Sequence, residues 1–208
     1  GFTKKKDYFE SDDTIVTSAV GHLLELTCPP DYEVKRGKWT FANLPVIPPK
    51  FDLAPITKSE DRLKLIRKLA RSKEVETLVN ACDAGREGEL IFRYIVQYLK
   101  IKKPIQRLWL QSMTPAAIRE GFHNLKTDEE LQPLAAAAIC RSESDWLVGI
   151  NGTRAMTAFN SKSGGFHLTT VGRVQTPTLT IVVEREEAIK KFKPRDYWEV
   201  HATFLAEQ

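Results

Sequence analysis

Asp83 and Glu87 lie four residues apart in the heptad Asp-Ala-Gly-Arg-Glu-Gly-Glu at residues 83–89. Two carboxylates crowded together suit a hard divalent cation such as Mg²⁺, which takes oxygen ligands and keeps several waters. Gly85 and Gly88 would let the backbone approach a metal or a phosphate closely. The competing account needs no ion: acids at the start of a helix simply favour its dipole.

Two other stretches carry candidate chemistry. Arg141 and Asp145 are four apart, so on a helix they share a face. Read alone they are a surface ion pair of little energetic weight, with Trp146 and Leu147 as core. Asn151 and Arg154 continue the polar face. Arg173, Gln175 and Thr176 fall just before and at a helix start, where free N–H groups and the dipole favour phosphate. Arg173 would add a charge-assisted hydrogen bond. A plain helix cap is the alternative, since Thr114-Pro115 shows the same dipeptide. His22, after Gly21, is open to a structural or a functional role. Lys4–Lys6 and the group Lys190, Lys191, Lys193 and Arg195 read as solvated faces. Trp39, Phe41 and Trp109 could stack bases, although core packing accounts for each.

The elements that must position these residues follow from the pattern. Residues 75–81 (VETLVNA) read as a buried parallel strand. Residues 87–99 place Leu90, Ile91, Tyr94, Ile95 and Tyr98 at helical spacing. The acidic heptad is therefore a strand-to-helix turn, and ligand sites in open α/β sheets form at the carboxyl ends of strands. Residues 14–20 read as a strand, and the Pro-rich residues 28–55 as an irregular surface loop. Thr57 with Glu60 predicts a capping box for a helix to about Ser72. Residues 105–110 read as another strand, and Thr114-Pro115 as a helix start. This order predicts an α/β fold, a parallel sheet with helices on its faces.

Near Lys126 the character changes. Thr127 and Glu130 form a second capping box, opening a long helical stretch to about Phe159. Ser161–Gly165 is a polar loop. Thr176-Pro177 is expected to open a last helix burying Leu179, Val182, Val183 and Ile189. Alternation over residues 197–204 suggests a strand. The expected domains are thus 1–126, 127–193 and 194–208, the last being the first strand of a further domain.

Four stretches, in order, resemble one family. DAGREGELIFR is similar to the acidic motif of the Toprim domain in type IA DNA topoisomerases, in its topoisomerase III-like form. AVGHLLEL (19–26), RSESDWLVGINGTRAMT (141–157) and VGRVQTPTL (171–179) resemble three further segments of that family. The usual Toprim pattern is Asp-x-Asp-x-Glu, and here Gly85 stands at the middle acid. The resemblance implies a Toprim-like fold followed by a mainly helical DNA-groove domain. It implies Glu87 and Asp83 as catalytic acids and Mg²⁺ ligands, with Arg86 neutralising phosphate charge. It implies a single-stranded DNA groove containing Arg141, Asp145, Asn151, Arg154, Arg173, Gln175 and Thr176. It also implies an earlier strand carrying a Glu and a Lys, and a later domain carrying a nucleophilic Tyr. None of the five tyrosines here precedes a proline, so this chain alone is expected to be a partial, inactive piece of an ATP-independent topoisomerase. Another Toprim enzyme, a primase or nuclease, and a non-catalytic DNA-binding module are the rival readings.

Composition sets bounds. The apolar fraction of 42% and charged fraction of 28% are those of an ordinary globular protein. A net charge of +4 permits a nucleic-acid partner. Cys28, Cys82 and Cys140 form no CxxC, which argues against a zinc site or disulfide framework. Reduced thiols fit a cytoplasmic location. No stretch is long and apolar enough for a membrane helix. The expected partner is single-stranded DNA, with no membrane; a helicase partner stays open, and a monomer is expected.

Overall fold

The computed structural model describes residues 1–35 and 37–205. The strand that leads into the acidic heptad is β6 (Leu78–Asn80), numbered in chain order, and α2 (Arg86–Leu99) follows the turn. β6 pairs in parallel with β7 (Ile105–Arg107), with Leu78 opposite Ile105 and Asn80 opposite Arg107. β7 also pairs, antiparallel, with β8 (Lys126–Thr127). The α/β class is as expected, but the sheet is mixed: the β6–β7 ladder is parallel and every other ladder among the described residues is antiparallel.

The expected strand over 14–20 shrinks to β3 (Ile15–Val16), joined by β2 (Phe9–Glu10) and β1 (Thr3–Lys4) in a small meander. Val20 and Gly21 turn the chain with φ of 59° and 93°, which ends any extended run there. The longer strand is β4 (Leu24–Thr27), paired with β5 (Asp52–Pro55) at the end of the Pro-rich loop. Helix α1 is Glu60–Ala70, and the Thr57–Glu60 capping box does not form. The Ile56 N–H is bonded back to the Leu23 carbonyl at 3.0 Å and Ser59 to Ile56 at 2.7 Å. Thr57–Ser59 are thereby spent on a 3₁₀ turn leaving the sheet.

Two helix starts follow their sequence chemistry. Thr114 accepts from the Ala117 N–H at 3.3 Å and Pro115 opens α3 (Pro115–His123). Thr127 and Glu130 form the reciprocal capping box of α4 (Asp128–Asn160), with the Thr127 N–H reaching Glu130 at 2.8 Å. These bonds stabilise the ionised Glu130 carboxylate and hold it below its ordinary range.

The core joins Leu23 and Leu24 of β4, Leu63 of α1, Leu90, Tyr94, Ile95 and Leu99 of α2, and Ala138 of α4. The early part of α4 therefore shares its core with the sheet-bearing part.

The last helix, α5 (Gln175–Lys190), corrects an expectation. Leu179, Val182, Val183 and Ile189 are exposed, and α5 buries nothing against the described residues. Residues 192–205 form no strand; among the described residues no strand pairs with them to take their backbone hydrogen bonds. Positions 206–208, the end of that expected strand, lie outside the described residues.

Candidate functional site

The turn from β6 to α2 is built by close backbone packing. A Cβ placed on Gly88 would lie 2.1 Å from the Asp83 carbonyl oxygen and 2.8 Å from its nitrogen. Only glycine lets the first turn of α2 sit against Asp83. Gly85 meets no such limit: it is extended at φ 174° with nothing within 4 Å of a Cβ. Asp83, Arg86 and Glu87 are all solvent-facing. His22, arriving from the turn before β4, places Nε2 3.3 Å from Glu87 Oε2, so it belongs to the acidic site.

Asp83 and Glu87 offer hard carboxylate oxygens from one turn, a donor set that fits a largely hydrated divalent cation. Among the described residues, no three His, Cys, Asp or Glu side chains converge to enclose an ion. Gly85 supplies no third carboxylate.

Sequence reasoning missed what lies beneath the turn. Glu89 is 1% exposed. Its Oε1 pairs with Arg93 Nε at 2.7 Å and its Oε2 accepts from Asn80 Nδ2 at 3.1 Å. Arg107 Nε approaches the same Oε2 at 3.4 Å, and Arg93 reaches on to Asp128 at 2.6 Å. Burial pulls the Arg107 guanidinium below its usual pKa, and the Glu89 charge opposes that pull. Burial likewise raises the neighbouring Cys82 thiol. The i,i+4 spacing of Glu89 and Arg93 was a readable signal; nothing local pointed to Arg107.

The second cluster lies where α4 meets the start of α5. The chain after α4 runs back along that helix on threonine hydroxyls. The Thr169 N–H donates to Thr157 Oγ1, and the Val171 N–H to Thr153 Oγ1, both at 3.0 Å. This path delivers Arg173 to Asp145, with Nη1 at 3.0 Å from Oδ1. Arg141 approaches the other oxygen of Asp145 at 3.8 Å. Arg141, Asp145 and Arg173 thus form one half-exposed cluster.

The remaining candidates are placed differently. Gln175 donates to Thr170 at 3.1 Å. Thr176 lies inside the first turn of α5, which starts at Gln175, and its hydroxyl accepts from the Gly172 N–H at 3.1 Å. It is not the helix cap. Asn151 and Arg154 are spent inward. Asn151 accepts from the Val46 N–H at 2.6 Å and donates to the Val46 carbonyl at 2.8 Å. Arg154, buried, donates to the Tyr32 carbonyl at 2.9 Å and stacks over Trp39. Both therefore strap the Pro-rich loop to α4. Trp109 covers the Arg107 guanidinium, while Phe41 is exposed beneath Lys162.

An open groove of about 370 Å³ lies between β4, α2 and α4. Its lining includes His22 beside the acidic turn, Leu90 and Tyr94 on α2, and Ser142 and Trp146 on α4. The groove reaches the acidic turn through His22, which contacts Glu87, while Arg141, Asp145 and Arg173 are not among its lining residues.

Comparisons with known proteins agree with this geometry. Residues 2–113 match a family described as Toprim domain, and residues 129–208 one described as DNA topoisomerase. DNA topoisomerase 3 of Bacillus licheniformis is 42% identical over 200 residues, 96% of this chain and 27% of that protein. DNA topoisomerase 3 of Staphylococcus epidermidis is 43% identical over 195 residues, 94% of this chain and again 27% of that protein. The solved structure of full-length topoisomerase I from Thermotoga maritima superposes with a TM-score of 0.56 at 25% identity, over 86% of this chain and 28% of that one. The chain thus spans 27% of the length of these curated relatives.

Proposed function

This chain belongs to the type IA DNA topoisomerases and carries their Toprim domain, and from that premise we propose that it holds a single DNA strand beside the acids that serve strand cleavage and resealing. The full reaction is that of the longer protein. A tyrosine hydroxyl attacks a phosphodiester, and the P–O3′ bond breaks to leave a 5′-phosphotyrosyl link and a free 3′-hydroxyl. After a second strand has passed, that 3′-hydroxyl attacks the link, resealing the strand and releasing the tyrosine without ATP. The observation that carries the reading is the half-exposed Arg141–Asp145–Arg173 cluster on the same chain as the exposed acidic turn, where His22 contacts Glu87.

Each residue has a definable task there. Asp83 and Glu87 would hold a divalent cation, Mg²⁺, through carboxylate oxygens. When bound, the ion stabilises negative charge on the phosphate and on the leaving oxygen. His22 orients Glu87 through their 3.3 Å contact. Arg86, exposed at the start of α2, adds positive charge toward the phosphate. Arg141 and Arg173 grip the strand. Their pairing with Asp145 is solvent-exposed and contributes only about 0–1 kcal/mol to stability, so these cations can turn to phosphate at small cost. A Toprim primase or nuclease would share the acidic turn, but the DNA topoisomerase match over residues 129–208 favours strand passage.

Two experiments test this. A protein carrying this chain at the full length of its relatives should, with Mg²⁺ and a single-stranded oligonucleotide, yield DNA covalently linked to protein through a 5′ phosphate after denaturation. Nicking with no protein-linked DNA would instead support a nuclease. Within this chain, Arg173→Ala should weaken single-strand binding and flatten its salt dependence by about 0.7 in log–log slope, one phosphate contact. Fluorescence anisotropy across a salt series measures both, and an unchanged slope would remove Arg173 from the contacts to the strand.

A further inference from the structure

Arg107 is buried to 2% side-chain exposure on β7, and it does more than neutralise Glu89. Its guanidinium donates to the carbonyls of Asn80 at 2.8 Å, Cys82 at 2.7 Å and Asp83 at 2.6 Å. The Leu108 N–H to the Asn80 carbonyl, at 3.0 Å, continues the backbone pairing at the end of β6. Beyond it the chain leaves the sheet, and the Cys82 and Asp83 carbonyls receive the Arg107 fork. On its other side the guanidinium is braced by Glu89 at 3.4 Å and by the Trp109 ring, 5.2 Å away. Glu89 lies two residues beyond Glu87 on α2. One side chain therefore ties the backbone that carries Asp83 to the helix that carries Glu87.

We infer that Arg107 is a positioning residue that sets the placement of Asp83 relative to Glu87, and hence the affinity of the acidic turn for a divalent cation. The inference rests on the metal reading of that turn. A buried ion pair is a poor source of stability, because desolvation offsets much of its attraction. Its product here is geometric: a rigid planar fork with several donors holds a strand end and a helix start in one arrangement. A lysine, a compact point charge on a flexible stem, could not span these acceptors in the same geometry. Residues that orient metal ligands from behind typically change metal affinity by about 10–100-fold when altered.

The test is a Mg²⁺ titration of the chain followed by ¹⁵N–¹H NMR at the amides of residues 82–88, which reports weak binding directly. Arg107→Lys and the milder Glu89→Gln should each weaken binding about tenfold or more. Single-strand DNA affinity without Mg²⁺, set by Arg141 and Arg173, should stay unchanged, which separates a local loss of positioning from general misfolding. Folded variants that bind Mg²⁺ like the unmodified chain would overturn the inference. If neither variant folds, the Arg107 side-chain N–H signals of the unmodified chain decide. They must shift along the same isotherm as the Asp83 amide, and constant signals overturn the inference. An unmodified chain that binds no Mg²⁺ at all would overturn the metal reading itself, and this inference with it.

Discussion

Glu89→Ala is expected to destabilise the chain by about 3–5 kcal/mol, the range for removing one partner of a buried ion pair. Glu89 is 1% exposed and serves Arg93, Asn80 and Arg107 together. Arg93 would keep Asp128 at 2.6 Å, so the loss falls chiefly on Arg107. That guanidinium would keep only backbone carbonyls, the Asn80 amide oxygen and the Trp109 ring around its charge. For a chain of this size the change corresponds to a fall in Tm of roughly 10 °C. Urea unfolding followed by circular dichroism measures it. A loss below about 1 kcal/mol would mean that water reaches Arg107 and that the cluster is not a closed network. Glu89→Gln should cost less, because its amide oxygen can still accept from Asn80.

Gly88→Ala should be the most damaging small change at the acidic turn. At an unconstrained helical position, glycine to alanine stabilises by up to about 1 kcal/mol. Here the new Cβ would meet the Asp83 carbonyl oxygen at 2.1 Å, a backbone atom that is itself pinned by Arg107. The sign should therefore reverse, with a loss of about 1–3 kcal/mol or more from overpacking and displacement of Asp83 from Glu87. Gly85→Ala is the internal control. Its Cβ meets nothing within 4 Å, so stability should change by no more than about 0.5 kcal/mol. Denaturant unfolding of the two variants, with Mg²⁺ titration of each, gives the comparison. Equal stability for both would show that the turn can shift away from α2 at no cost.

Local chemistry made several elements legible in the sequence. The apolar run and the helical stripe on either side of the acidic heptad fixed β6, the turn and α2, because burial periodicity acts over a few residues. Thr127 with Glu130, and Thr114 with Pro115, announced two helix starts through hydrogen bonds spanning three residues. The resemblance of four short stretches to one family placed the Toprim turn and the stretch matched by the DNA topoisomerase family.

Where capping chemistry competed with tertiary constraint, it lost. Thr57 and Glu60 carry the same signature as Thr127 and Glu130, yet the Leu23–Ile56 hydrogen bond draws Thr57 into a turn. The pattern on α5 read as a buried face, but amphipathic spacing says only that a face could be buried, not what would cover it.

The sequence by itself determined that a strand, a turn and a helix follow one another here, although the strand expected over 75–81 forms only over Leu78–Asn80. It also determined where α3 and α4 begin, and that Asp83 and Glu87 share one turn. Each of these depends on neighbours within about one helical turn or a few strand residues. Only the tertiary structure decided the rest. The register that sets Asn80 opposite Arg107 brings a guanidinium under Asp83 from 24 residues away. The threonine-bonded return along α4 brings Arg173 to Asp145 across 28 residues. Asn151 and Arg154, which share the polar signature of Arg141, turn to the loop at Val46 and Tyr32, more than 100 positions away. Such pairings follow from chain path and strand register, and no local window of sequence encodes either one.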